Sequence, residues 1–167
     1  YWVDDDQRSH AFVEVIQSET GAVYKQVFKD THLERIQAMS GRVALQFGDM
    51  HITPERIEGR IQTADGEAVT IQLSIDGCAR WGAPDDALNR WTMGWATEFP
   101  SIPLKWHVHH LKAFATGSIQ TPNGSWEITD YPIHQEKNWG RAFPTEWYWF
   151  QSNHFEGRPD VAFAAAS

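Results

Sequence analysis

Apolar and polar residues alternate with a period of two through most of the first half of the chain, the spacing at which side chains leave a strand on opposite faces. Residues 11–17 and 22–28 are two runs rich in β-forming residues, and Ser18, Glu19, Thr20 and Gly21 between them read as a four-residue hairpin loop. Residues 42–47 set Val43, Leu45 and Phe47 against Arg42, Ala44 and Gln46 before Gly48 and Asp49 end the run. The strongest pair comes next. Ile57, Gly59 and Ile61 share one face, and after Ala64, Asp65 and Gly66 the residues Val69, Ile71, Leu73 and Ile75 alternate with Thr70, Gln72 and Ser74. Only residues 31–39 suggest a helix, with Thr31 as N-cap and Glu34 three positions later completing a capping box.

From Asp76 to Pro103 the alternation dissolves into Gly, Pro, Asp and Trp, so a long aromatic loop is expected there, with Trp81, Trp91 and Trp95 along it. Strands are expected again at residues 104–114 and 118–120, then a turn at Pro122, Asn123 and Gly124, a return at 125–129 and an extended aromatic run at 147–155. Eight or more short strands with turns about every ten residues, and at most one short helix, point to an all-β fold: an antiparallel lipocalin-like barrel or a strongly bent sandwich. A parallel α/β fold would need helices between the strands.

Composition narrows the function. At 167 residues the chain has the size of one domain, and a net charge of -8 with no basic stripe argues against binding a nucleic-acid backbone. A single cysteine, Cys78, cannot form an intramolecular disulfide and reads as an apolar filler. No stretch approaches the ~18 apolar residues that span a bilayer, so the expectation is a soluble protein, cytoplasmic or peripheral to a membrane. The start at Tyr1 without Met and the alanine-rich end suggest a processed or excised piece of something longer. Nine Trp and nine Phe then matter, because large rings gather in interiors or around ligands. No Gly-rich phosphate loop, G-x-S-x-G elbow or Cys-rich zinc pattern is present.

Three clusters carry chemistry. His107 and His109 share one face of their strand, opposite Trp106, Val108 and His110. Such a pair can supply a proton or two metal ligands, a third having to come from His134 or Glu136; no metal site is assigned, since histidines on a half-solvated strand are ordinary. Residues 131–140 crowd Glu136, Lys137, Asn138 and Trp139 together. A carboxyl group buried among rings suits a general acid, whereas a solvated Glu136 and Lys137 would be a surface pair. In residues 147–155, Trp147, Trp149, Gln151, Asn153 and Phe155 fall on one face, rings with two amides, as in the wall of an apolar cavity with a few orienting polar groups.

Taken in order, Lys105-Trp106-His107-Val108-His109, Thr116-Gly117-Ser118-Ile119, Glu136-Lys137-Asn138-Trp139-Gly140, and Phe143, Pro144, Trp147, Trp149, Gln151, Asn153 and Phe155 resemble the tocopherol cyclase family. The resemblance is close from about residue 104 to 157 and looser at 11–17 and 47–60. It implies two lipocalin-like barrel halves, of which this chain, about half the expected length, matches mainly the first. Residues 1–167 are then one lipocalin-like β domain, or one half of a longer two-barrel protein, with a second half or a homodimer as partner. The resemblance also implies cofactor-independent closure of a ring on a hydrophobic prenylated quinol or related isoprenoid. Glu136 or His109 would donate the proton. Asn138, Gln151 and Asn153 would orient the ring, and Trp106, His107, Trp139, Trp147 and Trp149 would bind around it. The competing function is a non-catalytic lipocalin-like carrier of a hydrophobic small molecule; an interaction domain would instead present its rings as a flat exposed patch.

Overall fold

The structure is a computed structural model and describes residues 2–3, 6–29, 34–37, 43–79, 91–142 and 145–166. Among these are twelve strands: β1 (Trp2–Val3), β2 (Ser9–Gln17), β3 (Ala22–Phe28), β4 (Glu34–Gln37), β5 (Val43–Phe47), β6 (Met50–Ile52), β7 (Arg56–Gln62), β8 (Ala68–Ala79), β9 (Leu104–Thr121), β10 (Gly124–Gly140), β11 (Trp149–Ser152) and β12 (Phe163–Ala166). A single 3₁₀ turn spans Gly94–Glu98. The ladders run β1-β2-β3, β10-β9-β8-β7-β6-β5-β4 and β11-β12. The expected all-β class holds. Among the described residues no ladder joins β10 to β4, so of the two expected forms the hydrogen bonding fits the bent sandwich rather than a closed barrel.

The helix expected at 31–39 is not formed where it can be seen. Residues Glu34–Gln37 are strand β4, paired antiparallel with β5 from Glu34 opposite Gln46 to Gln37 opposite Val43; the remainder of the segment lies outside the described residues. A capping box contributes about 1 kcal/mol and an isolated helix of that length is marginal, so a sheet edge offering paired backbone groups overrides the local signal.

The chain divides into two compact units, Tyr1–Ser74 with Thr116–Thr129, and Ile75–Ala115 with Asp130–Ser167; β9 and β10 run through both. In the first unit the alternating residues of β7 and β8 turn their apolar side inward. Ile61 faces Val69 across the β7–β8 ladder, and both are fully buried. They join Ala11, Tyr24, Phe47, Met50 and Ile71 in one core, in which Phe28 and Phe47 meet edge to face at 5.3 Å. Gly59 lies between Ile57 and Ile61 with φ +147°; a Cβ there would strike the Asp49 carbonyl and Met50, so glycine makes the space in which Met50 is buried. The β9–β10 turn is tied to this core where Asn123 Nδ2 donates to the Tyr24 hydroxyl at 2.8 Å.

In the second unit β9 is buried on both sides: Val108, His110, Ala113 and Ala115 are nearly inaccessible, and His107 and Lys112 almost so. The Lys112 ammonium donates to the carbonyl of Pro159, in the segment that links β11 to β12. At the far end of β10 the Arg141 amide donates to Pro103 O at 2.8 Å, and a Cβ on Gly140 would collide with that same carbonyl, so the two strand ends close up only over glycine. The expected aromatic loop is shorter than its sequence suggested, because β8 continues to Ala79 and residues 91–103 contain the 3₁₀ turn; residues 80–90, including Trp81, lie outside the described part.

Candidate active site around Glu136

Strand alternation places His134, Glu136 and Asn138 on one face of β10 and Gln135, Lys137 and Trp139 on the other. The first face meets Trp106 from β9 and Trp149 from β11. Glu136 Oε2 accepts the Trp106 indole N–H at 2.8 Å and the Trp149 indole N–H at 3.2 Å, and lies 3.1 Å from His134 Nε2. Glu136 Oε1 has Asn138 Nδ2 at 3.5 Å. The side chains of His134 and Glu136 are 8% and 18% exposed, so the carboxyl group is largely withdrawn from water. The other nitrogen of His134, Nδ1, lies 3.3 Å from the Leu111 carbonyl, and the His134 ring is tilted against Trp149 at 6.0 Å.

The opposite face carries a different cluster. His107 and His109 meet edge to face at 4.8 Å, as their shared strand face requires, and Trp91 packs edge-on against His107 at 5.1 Å. Trp91 also reaches Trp139 at 5.7 Å, and Lys137 Nζ lies over both indoles, 5.1 Å from Trp91 and 4.8 Å from Trp139. Thr92 Oγ1 stands 3.3 Å from His107 Nδ1 and accepts the Val108 amide at 2.9 Å.

The expected site residues therefore separate into two groups. Glu136, Trp106, Trp149 and Asn138 converge; His107, His109 and Trp139 assemble on the other face. Gln151 and Asn153 are half-buried, Gln151 sitting opposite Ala164 in the β11–β12 ladder. Trp147 stands 51% exposed and Trp149 40%, with Tyr148 and Phe150 more open still. A cavity of about 440 Å³ in the first unit is lined by Gln26, Phe28, Gly48, Asp49, Arg60, Ile61 and Gln62, none of them an expected site residue. Among the described residues no three His, Cys, Asp or Glu side chains gather as a metal site, and no helix is long and apolar enough to cross a membrane. Sequence reasoning considered His134 only as a third metal ligand, although its i, i+2 relation to Glu136 on a strand was the signal for its place beside the carboxyl group. Thr92 and the partnership of Trp91 with Lys137 were also missed, because nothing in the spacing links residues 91 and 137.

Chemically, the Glu136 face joins an ionisable carboxyl–imidazole pair to two indoles, a set that can hold a proton next to electron-rich rings. Comparison with known proteins places the whole assembly in context. The rice protein "Probable tocopherol cyclase, chloroplastic" (Oryza sativa subsp. japonica) is 38% identical over 76 residues, and the maize "Tocopherol cyclase, chloroplastic" (Zea mays) 37% over 76 residues. Each match covers 45% of this chain and 16% of the relative, so what is shared is a small part of those longer proteins. No solved structure matches. The sequence family described as tocopherol cyclase-like matches residues 9–167, nearly the full length, and the chain belongs to that family.

Proposed function

We propose that this chain binds a hydrophobic prenylated quinol or related isoprenoid and closes a ring on it by protonating a side-chain alkene and capturing the resulting cation with a phenol oxygen. The observation that carries the reading is the Glu136 carboxyl group, 18% exposed, with His134 and two indole N–H groups on one of its oxygens. The proton held by the Glu136–His134 pair passes to the less substituted alkene carbon. The π pair becomes the new C–H bond and leaves a tertiary cation, which indole faces stabilise by about 1–2 kcal/mol each once water is excluded. A phenol oxygen lone pair then forms the C–O bond, and the phenolic proton returns to the pair. The sum is an isomerisation in which no electrons are exchanged, so the step calls for no redox partner. Asn138 stands beside Oε1, where it can orient the phenol, and the exposed Trp147 supplies apolar surface for the prenyl tail.

Turnover in D₂O tests this reading. A prenylated hydroquinone with a trisubstituted alkene should yield a chromanol carrying one non-exchangeable deuteron on the ring methylene, read by mass spectrometry. Glu136→Gln should cut turnover at least a hundredfold, the usual worth of a general acid, while the quinol still binds. Binding without any ring closure by the unaltered protein would instead establish the carrier function.

A further inference from the structure

The hydrogen-bond partners of His134 fix more than a contact. Its Nδ1 faces the Leu111 carbonyl at 3.3 Å, a group that only accepts, so the bond exists only if Nδ1 carries hydrogen. Its Nε2 faces Glu136 Oε2 at 3.1 Å. With Nδ1 protonated, a neutral imidazole would aim a lone pair at that oxygen, and the two would repel unless a proton lay between them. Oε2 in turn receives two indole N–H groups that can only donate, a load that suits an oxygen acting as acceptor and not a hydroxyl directing its own proton elsewhere. A carboxylate anchored in this way by Trp106 and Trp149 is well solvated by the protein, yet by itself it has no proton to give.

We infer that His134 is locked as the Nδ1–H form by Leu111 and holds one proton with Glu136 on the Nε2···Oε2 line, which makes it the positioning residue that keeps the site loaded for ring closure. The inference rests on the ring-closing reading and adds to it where the proton is stored. When the alkene takes that proton the pair becomes a neutral imidazole and a carboxylate, and the phenolic proton freed on C–O closure restores it. Charge and protons balance over the cycle. Glu136 Oε1 has Asn138 Nδ2 at 3.5 Å and carries no part of this proton, which leaves from the Nε2···Oε2 line itself. His107 and His109 have no part in this proton, since they belong to the cluster on the other face of the strands.

The test uses the unaltered protein first. In a long-range ¹H–¹⁵N spectrum of protein labelled at histidine, with the His134 signals assigned by their loss in His134→Gln, Nδ1 should have the shift of a protonated nitrogen and remain so in Glu136→Gln. An unprotonated Nδ1 in the unaltered protein overturns the inference. In the deuterium assay His134→Gln, which keeps a hydrogen-bonding side chain but cannot carry a transferable proton, should lower kcat at least tenfold with KM within twofold. Full kcat in His134→Gln beside an inactive Glu136→Gln would remove His134 from the mechanism and leave the ring-closing reading standing. Absence of deuterium incorporation by the unaltered protein would remove that reading instead, while the nitrogen shifts would still report whether the Nδ1–H form exists.

Discussion

Replacing Trp106 with Phe deletes the indole N–H and leaves a smaller ring in the half-buried slot the indole occupies. The bond lost is the shortest to Glu136, 2.8 Å, and involves an ionisable acceptor that is 18% exposed. Hydrogen bonds to charged groups contribute about 1.5–3 kcal/mol net, and the acceptor left behind is poorly placed to recruit water. For a chain of this size about 2–4 °C of Tm accompanies each kcal/mol, so Trp106→Phe should lower Tm by roughly 3–12 °C. Trp149→Phe removes the matching bond at 3.2 Å, but this ring is 40% exposed and water can replace it, which puts the loss under about 1 kcal/mol. Thermal unfolding followed by circular dichroism would rank the two. A double-mutant cycle of each with Glu136→Ala would then isolate the pairwise energies, with coupling of about 1–3 kcal/mol expected for Trp106 and under about 0.5 kcal/mol for Trp149. Equal losses for the two tryptophans, or no coupling of Trp106 to Glu136, would refute the idea that the half-buried Trp106 indole holds the carboxyl group.

Ile61→Ala empties a fully buried position opposite Val69 and should cost about 2–5 kcal/mol by chemical denaturation, with the Glu136 cluster, which belongs to the other compact unit, keeping its nitrogen shifts. Lys112→Met takes away the ammonium bound to the Pro159 carbonyl; amide hydrogen exchange should rise in residues 153–162 while β7 and β8 keep their protection. The guanidinium of Arg158 beside Asp160 holds that carboxyl below its ordinary range, helped by a backbone hydrogen bond. What this pair contributes is therefore complete above the ordinary carboxylate value and is lost only as pH falls through the lower value of the folded state. An NMR titration should find the Asp160 midpoint below that of an unfolded peptide, and because the pair is fully exposed, Asp160→Asn should leave Tm at neutral pH unchanged.

Much of the fold was legible because the core strands obey a period of two. Residues 22–28, rich in β-forming side chains, and 57–62, read from their alternation, form β3 and most of β7, and the four-residue turn after Gln17 sits where the β2–β3 register puts it. The errors have specific causes. At 31–39 a local capping signal outweighed the pull of a neighbouring strand, which no short-range pattern reports. In β9 and β10, strands of 18 and 17 residues, both faces carry large or polar groups, so the alternation that marks a half-buried strand disappears and the reading broke β9 at Ala115 and ended β10 at Thr129. Asp130, with φ +48°, lies inside β10, which continues past it to Gly140. The alanine run at the chain's end looked featureless, yet it pairs with β11 from Trp149 opposite Ala166 to Ser152 opposite Phe163.

The candidate site was legible in part for a related reason. Glu136, Lys137, Asn138 and Trp139 are consecutive in sequence, and a reading by proximity treats them as one constellation. A strand divides them: Glu136 and Asn138 go with Trp106 and Trp149, Lys137 and Trp139 with Trp91. The division assigns each neighbour a task its chemistry suits. Were Lys137 on the same face as Glu136, its ammonium could pair with the carboxyl group that lies 3.1 Å from His134 Nε2. Held over two indoles on the opposite face, the ammonium has its charge met by ring electrons. Alternation along β10 thus keeps a cation in the strand without bringing it to the Glu136 carboxyl group, and His134, two residues before Glu136, is the imidazole that same alternation delivers to that group.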